Sequence, residues 1–211
     1  LPEVGGQFVQ GESEVASINM VMGAASAGVK AMTSSSSPGV SLKAEGVSQA
    51  ANGSLPLVVA NFMRGGPGGG SIQPAQSDYW QATKAMGNGG YKMIVVSPGT
   101  LQEAVDLTYK AFELAERDRN PVMILADGCI GAMMEPVTLP EMKSDEQLEK
   151  EKQARKNWLV NGFKHREIGP VNIDLWGGRT SMLAMEAIAA GEKPGPRGLE
   201  ESNRVSGELY E

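Results

Sequence analysis

Three nearly uninterrupted apolar runs, set between helix-patterned stretches, dominate the first 127 residues. They are Leu55-Pro56-Leu57-Val58-Val59-Ala60-Asn61-Phe62, Met93-Ile94-Val95-Val96 and Val122–Ala126. None shows the polar alternation of a strand with one wet face. A strand covered on both sides reads this way, and parallel sheets flanked by helices are its usual setting.

The intervening sequence fits that frame. Gln7–Gln10 is predicted as a short strand, and Ser13–Lys30 as a helix with Val15, Ile18 and Met22 on one stripe. Its alanines and glycines leave room for close packing. Ala31–Ser34 follows as a strand, and then Ser37-Pro38-Gly39 signals a turn into a second helix over Val40–Ala51. A short helix is predicted near Asp78–Met86 and a strand over Tyr91–Ser97. Thr100-Leu101-Gln102-Glu103 forms a capping box for a helix with Leu101, Ala104, Val105, Thr108, Phe112 and Ala115 on one face. The expectation is an α/β fold: a parallel sheet with helices on both faces.

Beyond Pro140 the character changes. Ser144–Lys156 is dense in charge and reads as a solvated helix or linker, and one amphipathic helix is predicted within Gly177–Gly191. The expected organisation is one domain over residues 1–140 and a charged linker with an unassigned C-terminal extension over 141–211.

Composition removes several chemistries. The 211 residues carry a formal charge of −6, which argues against a basic nucleic-acid groove or a polybasic membrane anchor. One cysteine and one histidine cannot make a disulfide framework, a Cys/His zinc site or an all-cysteine iron–sulfur cluster. No metal site is expected within the chain. No run approaches the ~18 apolar residues of a membrane span, and no signal peptide opens the sequence; the single unpaired cysteine fits a reducing, cytoplasmic setting, which is the expectation. Leu1 stands where a methionine would start a chain, so a fragment or processed product is expected.

Two places could carry chemistry. Gly65-Gly66-Pro67-Gly68-Gly69-Gly70 lacks both the Lys-Ser/Thr ending of a P-loop and the GxGxxG spacing; on glycine content alone it is a flexible surface turn. Arg64 stands just before it, at the carboxyl end of a buried strand, where α/β sheets place ligands. A guanidinium there can grip a carboxylate at two points. Glu12 and Glu14 open the first helix. Acids at a helix amino end are stabilising in themselves, yet one drawn into the packed interface would have a raised pKa and could share a proton. Cys129 reads as a buried small hydrophobe, His165 as a solvated surface residue and the methionines as core filling. The serines at 34–37 have no histidine near in sequence to activate them.

Ordered motifs across residues 1–140 carry a resemblance. Gln10-Gly11-Glu12-Ser13-Glu14-Val15-Ala16, Met32-Thr33-Ser34-Ser35-Ser36-Ser37-Pro38-Gly39, Asn61-Phe62-Met63-Arg64-Gly65-Gly66-Pro67, Gln73-Pro74-Ala75-Gln76-Ser77-Asp78-Tyr79 and Met134-Glu135-Pro136-Val137 resemble the alpha subunit of 2-oxoacid:ferredoxin oxidoreductases. The wording from Gln73 to Tyr79 is most like the 2-oxoisovalerate (branched-chain) branch.

The resemblance implies a thiamine diphosphate pyrimidine-binding domain, incomplete at its N-terminus. It implies that Glu14 is both the catalytic and the cofactor-binding acid, its carboxylate bonded to the aminopyrimidine ring to promote loss of the thiazolium C2 proton. It implies that Arg64 meets the substrate carboxylate. The implied reaction converts a 2-oxoacid and coenzyme A to acyl-CoA and carbon dioxide and reduces ferredoxin, and the chain is active only with partners. Those are a beta subunit holding the diphosphate and magnesium, and gamma and ferredoxin-like delta subunits, with the iron–sulfur clusters outside this chain. The family's threonine-bearing Tyr-Pro-Ile-Thr-Pro-type turn has no counterpart here, and residues 141–211 are too short and polar for the family's second α/β domain. A non-oxidative thiamine-dependent decarboxylase subunit and a non-catalytic truncated paralogue are the rival expectations.

Overall fold

The computed structural model describes residues 2–84, 86–151 and 153. After a short 3-10 turn at Pro2–Val4, the elements run α1 (Glu14–Ser26), β1 (Met32–Ser35), α2 (Pro38–Asn52), β2 (Val58–Met63), α3 (Tyr79–Lys84), β3 (Ile94–Val96), α4 (Leu101–Asp118), β4 (Val122–Asp127) and α5 (Gly128–Ala132). The four strands form one parallel sheet in the order β1-β2-β4-β3.

That order places the helices. The β1–α2–β2 crossover advances across the sheet, whereas β3–α4–β4 steps back. Right-handed crossovers in opposite directions lay their helices on opposite faces. Accordingly, Ile18, Val40, Val47, Leu57, Val59, Met123 and Leu125 make one core cluster beneath α1 and α2. Val58, Ala60, Val122 and Ile124 make the other with Ala111 and Ala115 of α4. Successive β2 residues alternate between these layers, which is why the strand carries no polar alternation. The sequence expectation of a parallel sheet with helices on both faces holds.

Local differences have local causes. Gln7–Gln10 is not a strand, and residues 6–11 have no regular structure. The first helix stops at Ser26 rather than Lys30 because Gly28 takes φ +83°. The Gly28 N–H donates to the Ala25 carbonyl at 3.0 Å and the Val29 N–H to that of Ala24 at 3.1 Å, a Schellman ending that only a left-handed residue closes. Thr100 caps α4 as expected, its Oγ1 accepting from the Glu103 N–H at 3.1 Å. The return bond differs: Glu103 Oε2 accepts from the Gly99 N–H at 2.7 Å, one residue before the cap.

Two glycine-tight contacts fix α1 on α2. A Cβ on Gly46 would lie 2.5 Å from Ile18 Cγ1, and Ile18 is itself buried. Gly46→Val therefore forces the two helices apart. The expected outcome is a loss of about 1–3 kcal/mol, read as a lower denaturation midpoint. An unchanged midpoint would mean that the helices do not pack this closely.

After Pro140, residues 145–151 are helical and mostly exposed, in keeping with a solvated charged stretch. Glu151 is ion-paired to Lys30 at 3.0 Å and to Lys143, which ties this stretch to the connection between α1 and β1. The amphipathic helix expected within 177–191 lies outside the described residues.

Candidate active site

Glu14 lies beside Gly39, and Ile18, one turn on, beside Gly46, so α1 and α2 start at the same end. That end is the carboxyl edge of the sheet, because α2 follows β1 directly. Glu14 is the first residue of α1, behind the cap Ser13, whose hydroxyl accepts from the Ala16 N–H at 3.2 Å. Its side chain turns inward and is half-buried, whereas Glu12 is exposed. A Cβ on Gly39 would stand 3.0 Å from Glu14 Oε1, 3.1 Å from its Cγ, and on top of Ser35 Oγ. The missing side chain at position 39 is the space the carboxylate uses.

This gives a sharp expectation for Gly39→Ala. Alanine suits the first turn of a helix better than glycine, and Ser35 can rotate its hydroxyl away. Stability should hold while the Glu14 carboxylate is displaced. A titration with thiamine diphosphate in the presence of a partner subunit should show affinity weakened about tenfold, the order expected when neighbouring side chains are coupled. Unaltered affinity would separate Gly39 from the site.

Arg64 follows the last residue of β2 on the same edge. It is joined to the β1–α2 turn by a polar cluster that the sequence did not reveal. The Ser37 N–H donates to Asn61 Oδ1 at 3.0 Å, and the Asn61 amide donates to Asp78 Oδ2 at 2.9 Å. The Ser37 hydroxyl donates to that same oxygen at 2.5 Å and accepts from the Arg64 N–H at 3.0 Å. Ser37 sits at φ +22°, where an L-residue is strained, and these bonds hold it there. Asn61 is fully buried, so a satisfied network is the condition for its presence in a core strand. Glu14 and Arg64 are thus set by one turn, residues 35–39: Gly39 shapes one and Ser37 anchors the other.

The glycine loop is not a free turn. The Gly65 N–H donates to the Gln73 carbonyl at 2.9 Å and the Ser71 N–H to that of Gly65 at 2.8 Å, while Arg64 bridges Pro74. Gly70, at φ +59°, lies so close to the Gly65 carbonyl that no Cβ could be placed there. Arg64 Nη2 donates to the Gly69 carbonyl at 3.2 Å, but its Nε is buried without an acceptor. A buried donor left unmet costs about 1–3 kcal/mol, which an acceptor reached by a turn of the side chain would offset. The donor set and the glycine-shaped space beside Glu14 fit a bound carboxylate and a heteroaromatic ring respectively.

Behind Glu14 stands Lys43, a residue the sequence reading passed over. It lies on the buried stripe of α2 with Val40 and Val47 and is only 2% exposed. Its Nζ donates to Thr33 Oγ1 at 2.7 Å and to the Ser34 carbonyl at 3.0 Å. Burial pulls its pKa below the usual lysine range, and the Glu14 charge opposes that pull. A lysine at an apolar-stripe position was the available signal.

The remaining candidates do not join this cluster. Cys129 is exposed, not the buried hydrophobe expected, because it opens the short α5 at the rim of the sheet. Desolvation first, then the neighbouring Asp127, pushes its thiol up, away from the reactive thiolate. Asp127 caps α5, and the Cys129 N–H followed by Gln76 holds its carboxyl down. Ser34 and Ser37 serve Lys43 and Arg64 rather than a hydrolytic site. His165 lies outside the described residues. Among the described residues no three His, Cys, Asp or Glu side chains gather as a metal would need, and no helix is long and apolar enough to cross a membrane.

Comparison with known proteins gives the family. Residues 1–180 match the family described as pyruvate flavodoxin/ferredoxin oxidoreductase, thiamine diphosphate-binding. A ketoisovalerate oxidoreductase subunit VorB of Methanothermobacter marburgensis is 56% identical over 140 residues, 66% of this chain and 40% of that protein. A 2-oxoglutarate synthase subunit KorA of Archaeoglobus fulgidus is 39% identical over 175 residues, 82% of this chain and 49% of that protein. Among solved structures, the 2-oxoglutarate:ferredoxin oxidoreductase from Magnetococcus marinus with 2-oxoglutarate, coenzyme A and succinyl-CoA bound has a TM-score of 0.60 and 35% identity. That likeness covers 69% of this chain and 27% of the other. The chain spans about two fifths of the length of the VorB relatives it matches. With a parallel α/β sheet and an acid set into a glycine-shaped niche at its carboxyl edge, the chain belongs to the thiamine diphosphate-binding family of pyruvate flavodoxin/ferredoxin oxidoreductases.

Proposed function

We propose that this chain is the pyrimidine-binding part, residues 1–140, of the alpha subunit of a 2-oxoacid:ferredoxin oxidoreductase. The observation that carries this is Glu14, half-buried at the amino end of a helix with no other charge, against a glycine that leaves its carboxylate room. Thiamine diphosphate, when bound, would supply a carbon nucleophile for the 2-oxo carbonyl and then the sink for the electron pair left when carbon dioxide departs. Glu14 would hold the pyrimidine ring through a charge-assisted hydrogen bond. Arg64 would take the substrate carboxylate through its guanidinium. The apolar surface of α1 would keep water from the reacting atoms.

Partners complete the site in this reading. Val15 and Met20 of α1 remain about half exposed, and Phe8 and Val9 just before it are more exposed still. A helix that is apolar on several sides is stable in water when another surface covers it. A beta subunit binding the diphosphate and magnesium is the proposed cover. Gamma and delta subunits would carry the iron–sulfur clusters toward ferredoxin in the cytoplasm, with residues 141–211 as a charged linker and extension. The VorB relative and the Magnetococcus marinus structure are named oxidoreductases, the latter with coenzyme A bound, which favours the oxidative reaction over non-oxidative decarboxylation, and the VorB identity favours a branched 2-oxoacid.

The test is thiamine diphosphate binding by calorimetry with magnesium present. Binding to the chain plus a beta subunit, and to neither alone, is the expected result. No binding to the pair would leave a non-catalytic paralogue as the better reading.

A further inference from the structure

Lys43 has no role in the function proposed above, yet its placement asks for one. An ammonium in a packed layer is costly unless opposite charge and acceptors surround it. Two of its three donors are met, by Thr33 Oγ1 at 2.7 Å and the Ser34 carbonyl at 3.0 Å. Neither acceptor is charged. On the elements packed around it, β1 and β2 carry no titratable group, α1 carries Glu14 alone, and Glu45 of α2 points to solvent. Glu14 is the carboxylate whose field reaches the Lys43 ammonium. The same Glu14 carboxylate rests in the gap at Gly39, one turn of α2 before Lys43.

We propose that Lys43 is a positioning residue for Glu14: its ammonium, tethered by Thr33 and Ser34 beneath the α1–α2 seam, draws the Glu14 carboxylate inward against Gly39 and keeps it aimed for the cofactor ring. Thr33 and Ser34 fix the charge, so its pull has one direction. This role rests on Glu14 being the acid that contacts the cofactor. A methionine has the length of the lysine stem and suits a helix interior, so Lys43→Met removes the charge while retaining the packing.

Two measurements test the coupling. First, the Lys43 ammonium is titrated by carbon-13 NMR in the full 211-residue chain, without cofactor, beside Glu14→Gln. The expected result is a Lys43 midpoint below the ordinary lysine value that falls further in Glu14→Gln; a midpoint that does not move overturns the proposal. Second, C2-proton exchange of thiamine diphosphate is followed in the assembled complex. Lys43→Met should slow it about tenfold with the melting midpoint held, whereas unchanged exchange in Lys43→Met beside a collapsed rate in Glu14→Gln overturns the positioning role. Full exchange in Glu14→Gln overturns the cofactor assignment itself, and the Lys43 role with it.

Discussion

Glu14→Gln, assembled with its partner subunits, is expected to bind thiamine diphosphate but to lose about 10²–10⁴-fold in the rate of C2-proton exchange, the range of a positioned acid or base. Glutamine has the shape of glutamate, so the contact with Gly39 and the packing of α1 on α2 remain. What disappears is the charged acceptor at the one ionised position of the helix. A neutral amide cannot stabilise a proton gained on the facing ring nitrogen, and ring activation stops there. The accompanying cost to the fold is small, because an acid in the first turn of a helix contributes only about 0.3–1 kcal/mol through the dipole. The measurement is hydrogen–deuterium exchange at C2 after acid quench. A wild-type rate would remove Glu14 from the chemistry.

Arg64→Met should divide the substrates. The guanidinium holds a buried Nε without an acceptor and leans with Nη2 on the Gly69 carbonyl. A hydrogen bond to a charged group contributes about 1.5–3 kcal/mol, so its loss should raise KM for the 2-oxoacid roughly 10- to 100-fold. KM for coenzyme A should change little. The glycine loop keeps its form in the variant, because its backbone bonds between Gly65 and Gln73 and between Ser71 and Gly65 do not use the arginine side chain. Equal rises for both substrates would show that Arg64 supports the loop and not the carboxylate.

Much of the fold was legible because strands buried on both faces write themselves as unbroken apolar runs. β2 and β4, the two central strands, matched those runs within a few residues. The edges were less legible. Residues 7–10 have strand-like composition but, among the described residues, no strand pairs with them, and the end of α1 was decided by the φ of Gly28 rather than by apolar periodicity.

In the candidate site, the helix start at Glu14 and the strand end at Arg64 were visible in sequence. The cluster that relates them was not. Ser37, Asn61 and Asp78 come from a turn, a core strand and a pre-helix loop, 17 to 41 residues apart. Each is an ordinary residue until the sheet brings them together. Asn61 within an apolar run and Lys43 on an apolar helix stripe were the two breaks in pattern that pointed to buried polar partners, because a core accepts such groups only when they are satisfied.

The most direct measurement is a structure of the assembled complex with thiamine diphosphate bound. The expected result is a Glu14 carboxylate oxygen within hydrogen-bonding distance, about 2.5–3.0 Å, of the aminopyrimidine ring, at the seam between this chain and its partner. A Glu14 side chain turned to solvent, with the ring held by another acid, would contradict it.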